Sequence, residues 1–187
     1  MDLYLIRHTT PDIARNICYG QSDIDVGPSF DAELALLRHK LPQQPDVIYS
    51  SPSQRCLKLA RAVAGEQPVR QEARLMELHF GEWELKCWDD IPRGAVDVWA
   101  EDHVLQAPPQ GESFHALHAR AADFLREASN AGDATIFAFT HAGVIRALLA
   151  EALQLPLVQA FRLQIDYASV SQIVIDGPIW RVAGVNR

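Results

Sequence analysis

The chain has 187 residues, 48% of them hydrophobic and 22% charged, and its 17 Lys+Arg against 24 Asp+Glu leave a net charge of −7. That length predicts a single domain over residues 1–187 with ample core, and the acidic balance removes the electrostatic footprint of a nucleic-acid or anionic-membrane binder. The apolar run Leu3-Tyr4-Leu5-Ile6 stops at Arg7, too short for a signal-peptide core, and no run approaches the roughly 18 apolar residues of a membrane span. These features predict a soluble cytoplasmic protein, a monomer or homodimer with neither nucleic acid nor membrane as partner, in which any anionic ligand is met by a local cluster of cations.

In chain order, residues 2–7 predict a strand, and Leu34, Leu37 and Leu41 predict a helix over 31–41. The segment Leu41-Pro42-Gln43-Gln44-Pro45 is loop material. A strand over 46–50 follows, and Ser51-Pro52 reads as an N-cap with proline at the first helical position of a helix running to about Ala64. Beyond the loop Ala107-Pro108-Pro109-Gln110-Gly111, the stripe Phe114, Leu117, Ala121, Phe124, Leu125 and Ala128 predicts a helix over 113–128. A strand over 134–140 and a helix over 143–153 come next, and segments 169–175 and 179–185 flank Asp176-Gly177-Pro178 as an antiparallel pair. The near-continuous apolarity of the first three strands is that of strands buried on both faces. The fold class is therefore α/β: a three-layer sandwich with a mostly parallel central sheet flanked by helices.

Chemistry-bearing residues stand where these strands stop. Arg7-His8 ends the first, Ser50-Ser51 ends the second with Arg55 in the following helix, and Thr140-His141 ends the third. In open α/β sheets the ligand crevice lies beyond the carboxyl ends of the strands, so two Arg and two His can converge on one anion. The planar Arg fork suits phosphate oxygens, and an imidazole can donate or attack; a phosphoryl group is the natural guest. Each residue alone reads as readily as a satisfied or solvated polar group, and only the joint placement favours function. Cys18, Cys56 and Cys87 contain no CxxC pair and read as reduced thiols.

With Leu5-Ile6-Arg7-His8, Ser50-Ser51-Pro52-Ser53-Gln54-Arg55, the block from Leu75 to Glu84 and Thr140-His141-Ala142-Gly143, the chain resembles the histidine phosphatase superfamily, the phosphoglycerate-mutase-like fold. The resemblance implies that His8 is phosphorylated during turnover, that Arg7, Arg55 and His141 hold the phosphoryl oxygens, and that Glu77 is the proton donor, with no metal or cofactor required. Chemistry agrees: neighbouring cations disfavour protonation of an imidazole and stabilise the equatorial oxygens, while one carboxyl can serve as acid for the leaving alkoxide and then as base for water. The departures are Thr9 where the family usually has Gly, Thr10-Pro11, Asn16 out of register, and Lys86.

Within the family, Arg7-His8-Thr9-Thr10-Pro11, Cys18 to Asp23 and Trp88-Asp89-Asp90-Ile91-Pro92 resemble the α-ribazole phosphatase branch, which implies α-ribazole 5′-phosphate as the small phosphorylated metabolite and cobalamin assembly as the setting. Tyr19 and Gln21 are then substrate-binding candidates. Tyr19, Trp83 and Trp88 offer flat surface to a benzimidazole, although the tryptophans equally read as packing. Ser113 reads first as a helix cap, and His115 with His118 as surface residues in preference to a metal pair. A broad sugar-phosphate phosphatase, a mutase and a non-catalytic phospholigand-binding module remain as alternatives.

Overall fold

The computed structural model describes residues 1–42, 44–132 and 134–187, so Gln43 of the predicted loop lies outside the described residues. Strands β1 (Asp2–Arg7), β2 (Val47–Ser50), β3 (Val69–Gln71), β4 (Thr135–Thr140), β5 (Val170–Asp176) and β6 (Ile179–Gly184) form one sheet in the order β3-β2-β4-β1-β5-β6. β3, β2, β4 and β1 are mutually parallel, and β5 and β6 continue the sheet antiparallel beyond β1. The helices are α1 (Phe30–Arg38), α2 (Gln54–Ala64), α3 (Arg93–Glu101), α4 (Phe114–Asn130) and α5 (Ala142–Leu153).

Side chains alternate across the pleat, so each central strand serves two cores. Leu3 and Leu5 of β1 and Ile136 and Ala138 of β4 pack with Leu117, Phe124 and Leu148 of α4 and α5. Ile6, Phe137 and Phe139 face the other way, against Leu37 of α1 and Cys56 and Leu59 of α2. Both faces are covered, which gives the three layers. A third cluster, Cys18, Trp83 and Ile91 with Phe80, Trp88 and Trp99, sits apart from the sheet and anchors α3.

Several boundaries differ from the sequence reading for local reasons. α1 ends at Arg38, not at residue 41, because Leu41 precedes Pro42 and a residue before proline is pushed out of the α region. The N-cap position of α2 is Ser53, which makes no side-chain cap bond, rather than Ser51; Pro52 is left outside the helix, and the Ser51 hydroxyl accepts from the Ser53 amide at 3.4 Å. α4 runs two residues past 128 to Asn130, and its Ser113 cap accepts from the Ala116 amide at 3.2 Å. The hairpin turns on Gly177-Pro178, with Gly177 at φ +55°.

Candidate active site

The parallel register brings three strand ends together. Arg7 pairs with Thr140 and Ser50 with Phe139; one residue further, the His8 amide donates to Thr140 O at 3.0 Å and the Ser51 amide to Phe139 O at 2.9 Å. His8, Arg55 and His141 are thereby gathered and buried, at 1%, 0% and 0% exposure. The two imidazole rings lie 5.1 Å apart, centre to centre.

Hydrogen bonding sets the state of each ring. His8 Nδ1 lies 2.7 Å from the Thr9 carbonyl; a carbonyl can only accept, so the proton is on Nδ1 and Nε2 keeps its lone pair. Arg55 Nη2 donates to His141 Nδ1 at 3.2 Å, and His141 Nε2 then donates to Ser51 Oγ at 2.9 Å. Burial first, and then the Arg55 and Arg7 guanidiniums, hold His8 well below the ordinary histidine pKa. Burial and Arg55 do the same for His141. Both imidazoles are neutral as a result, and an imidazole in that state offers a nitrogen lone pair without first losing a proton.

The arginines are held from behind. Arg7 Nη1 donates to Ile165 O at 2.6 Å, while Arg55 donates from Nη1 to Ser22 O at 2.8 Å and from Nη2 to Gly20 O at 2.6 Å. The Nε–H of each is buried with no acceptor among the described residues. Two cations that keep an uncommitted donor beside a neutral imidazole suit a tetrahedral dianion. The segment carrying Gly20 and Ser22 is pinned by Glu84, which accepts from the amides of Gln21, Ser22 and Phe80.

Glu77 stands against the start of α5, at a point two residues beyond His141. Its Oε2 accepts from the Gly143 amide in the first turn of α5 at 3.2 Å, and its Oε1 from the Leu78 amide at 2.9 Å. The approach needs glycine at 143, since a Cβ there would lie 2.2 Å from Glu77 Oε1. Gln21 directs its amide to the Glu77 carbonyl at 3.0 Å, so it braces the same loop.

The aromatic candidates divide. Trp83 is 4% exposed and packs edge-on against Trp88 and Trp99, with centroids 6.3 and 5.8 Å away. It belongs to the third core cluster. Tyr19 stays at the site, its ring 5.4 Å from the Arg55 guanidinium and its hydroxyl 2.7 Å from that of Tyr167. Tyr167 lies against Arg7 at 3.8 Å and 5.5 Å from the His8 ring, a functional position that sequence reasoning missed. Its place follows from the sheet: β5 runs antiparallel to β1, so the segment entering it lies at the carboxyl end of β1, a pairing that the sequence reading did not include. Of the remaining candidates, His118 pairs with Glu151 at 2.7 Å, and no group of three or more His, Cys, Asp or Glu is placed for a metal among the described residues. All three cysteines are free thiols; burial pushes Cys56, beside His141, up to about 12. No described helix is long and apolar enough to cross a membrane.

Comparison with known proteins bears on this geometry. The model of the histidine phosphatase superfamily (branch 1) matches residues 3–187. A protein of Hydrogenobacter thermophilus assigned as phosphoserine phosphatase 2 is 29% identical over 94% of this chain and 90% of its own length. The adenosylcobalamin/alpha-ribazole phosphatase of Salmonella typhimurium is 25% identical over 94% of this chain and 91% of its own. The crystal structure of the alpha-ribazole phosphatase of Shigella flexneri superposes with a TM-score of 0.92 at 24% identity, over 100% of this chain and 96% of that one.

Proposed function

The chain belongs to the histidine phosphatase superfamily, branch 1, and is a phosphatase of that superfamily; from that premise we propose that residues 1–187 act as one phosphomonoesterase unit working through a phosphohistidine at His8. The observation that carries this reading is the buried, neutral His8, with its proton on the Thr9 side and Nε2 free, between two guanidiniums that keep uncommitted donors. In the first step His8 Nε2 bonds to phosphorus, the ester P–O bond breaks, and the leaving oxygen takes a proton from Glu77. Water then attacks the phosphohistidine and loses a proton to Glu77, the P–N bond breaks, and phosphate leaves neutral His8 behind. Arg7, Arg55 and His141 meet the charge on the phosphoryl oxygens, so the scheme asks for no metal or cofactor. His141 takes part once Ser51 becomes the donor to its Nε2, which frees Nδ1–H for a phosphoryl oxygen.

The substrate assigned to this site is α-ribazole 5′-phosphate, a small phosphorylated metabolite hydrolysed in the cytoplasm. Support comes from the segments that resemble that branch, from the Salmonella relative, and from Tyr19 with Tyr167, which offer flat surface beside both arginines. Gln21, whose amide braces the Glu77 loop, is the further substrate contact in this reading. A phosphoserine phosphatase is the second reading, favoured by the Hydrogenobacter relative. Phosphate release from α-ribazole 5′-phosphate, phosphoserine, 3-phosphoglycerate and ribose 5-phosphate at matched pH decides between them. The expected result is a kcat/KM for the ribazole ester at least about tenfold above the others. Equal or better turnover of phosphoserine or the sugar phosphates overturns the substrate assignment.

A further inference from the structure

Arg120 lies on α4, outside every motif that marks the site, yet three of its five N–H donors go to the loop that carries Glu77 and the other two to Glu112. Nη1 donates to the carbonyls of Arg74 and Met76 at 2.7 and 2.6 Å, and Nη2 to the carbonyl of Glu77 itself at 3.0 Å. The remaining donors grip Glu112 side-on, Nη2 to Oε1 at 2.6 Å and Nε to Oε2 at 3.1 Å. Glu112 in turn accepts from the His79 amide at 3.0 Å, and its own amide donates to the His79 carbonyl at 2.9 Å. The backbone on both sides of Glu77 is therefore tied to one ion pair that is about four-fifths buried.

The surroundings make this pair the main fixture of the loop. Residues 72–84 form only two short 3₁₀ turns, Ala73–Leu75 and Gly81–Trp83, and no strand, so no sheet ladder sets where Glu77 points. The adjacent contact needs glycine: Gly81, at φ +56°, passes so near Pro109 that a Cβ would fall within 2.0 Å of its carbonyl. Only a planar fork can serve three carbonyls and a carboxylate at once; a lysine ammonium has three donors and no fixed fork.

We propose that Arg120 and Glu112 are positioning residues for the proton donor: the buried pair holds the 74–79 backbone so that the Glu77 carboxyl meets the leaving oxygen. The inference rests on the reading of Glu77 as general acid, and it predicts a signature that a merely structural pair would not give. Proton donation matters for an alkoxide leaving group and hardly at all for a nitrophenolate, which departs unprotonated. Since kcat/KM reports the steps through phosphorylation of the enzyme, it is measured for ribose 5-phosphate and for p-nitrophenyl phosphate in Glu112→Gln, Arg120→Lys and Glu77→Gln.

For Glu112→Gln and Arg120→Lys, the alkyl ester should lose about tenfold or more while p-nitrophenyl phosphate stays within about twofold, a fraction of the full ~10²–10⁴ of general acid catalysis. Glu77→Gln should show the same selectivity at full size. Equal losses on both esters, or none, in the two pair variants while Glu77→Gln stays selective overturns the positioning role alone. A Glu77→Gln enzyme without leaving-group selectivity overturns the proton-donor reading and the positioning role with it. Arg120→Lys and Glu112→Gln keep charge and shape respectively, so if one fails to fold the other still decides.

Discussion

The two sides of this site are made in different ways. His8, Arg55 and His141 follow three parallel strands whose register the sheet imposes, and all three are buried to within 1%. Glu77, Gln21, Tyr19 and Tyr167 stand on loops and 3₁₀ turns, held by side-chain bonds from Glu84, Glu112 and Arg120 and by the Arg7 bond to Ile165 O. In the proposed reaction the phosphoryl group, common to every substrate, meets the sheet-built side, and the ester's organic part, which differs between substrates, meets the side that loop sequence can alter without touching the sheet. Relatives of similar identity that carry different substrate names fit this division.

The sides touch at Gly143, and that contact is the place to break the comparison. A methyl at 143 would lie 2.2 Å from Glu77 Oε1 and 3.4 Å from Leu117 Cδ1, so the carboxyl, the flexible partner, must move. Alanine also suits a helix better than glycine. Gly143→Ala should therefore leave thermal stability close to wild type while kcat/KM for an alkyl phosphate falls about 10- to 100-fold. Unchanged kcat/KM would mean that the Glu77–Gly143 contact has no part in the reaction.

A smaller effect sharpens the contrast. Tyr167→Ala removes the ring lying against Arg7 and the partner of the Tyr19 hydroxyl. It should lower kcat/KM for α-ribazole 5′-phosphate about fivefold more than for ribose 5-phosphate, the low end of what stacking on an aromatic contributes. Losses equal for the two esters would assign Tyr167 to the phosphoryl side instead.

Legibility in the sequence follows the same line. Strands β1, β2 and β4 announce themselves by β-branched and aromatic runs, and the rule that ligands sit beyond strand carboxyl ends gathers Arg7, His8, Arg55 and His141 without further help. β3 is three residues, Val69-Arg70-Gln71, at the sheet edge, too short and polar to show a period. α3 contains Gly94, fully buries none of its residues and sets only Val96 and Trp99 against the third cluster, a stripe too short to read as a helical period. The Ser51 hydroxyl, read as a cap, accepts from the Ser53 amide at 3.4 Å and also meets His141 at 2.9 Å, a contact 90 residues away that no local pattern shows. Trp83 looks the same in sequence whether it stacks on ligand or on Trp99, and burial decides for the latter. Tyr167 and Arg120 lay outside recognisable blocks, and their roles depend on where β5 and α4 dock.

The central claim is that phosphate passes through His8, and the direct measurement is to trap it. Enzyme mixed with ³²P-labelled substrate and quenched in alkali should carry an acid-labile, alkali-stable label that peptide mass spectrometry places on His8, and His8→Ala should carry none and turn nothing over. Label on any other residue, or label and turnover that persist in His8→Ala, would contradict the account.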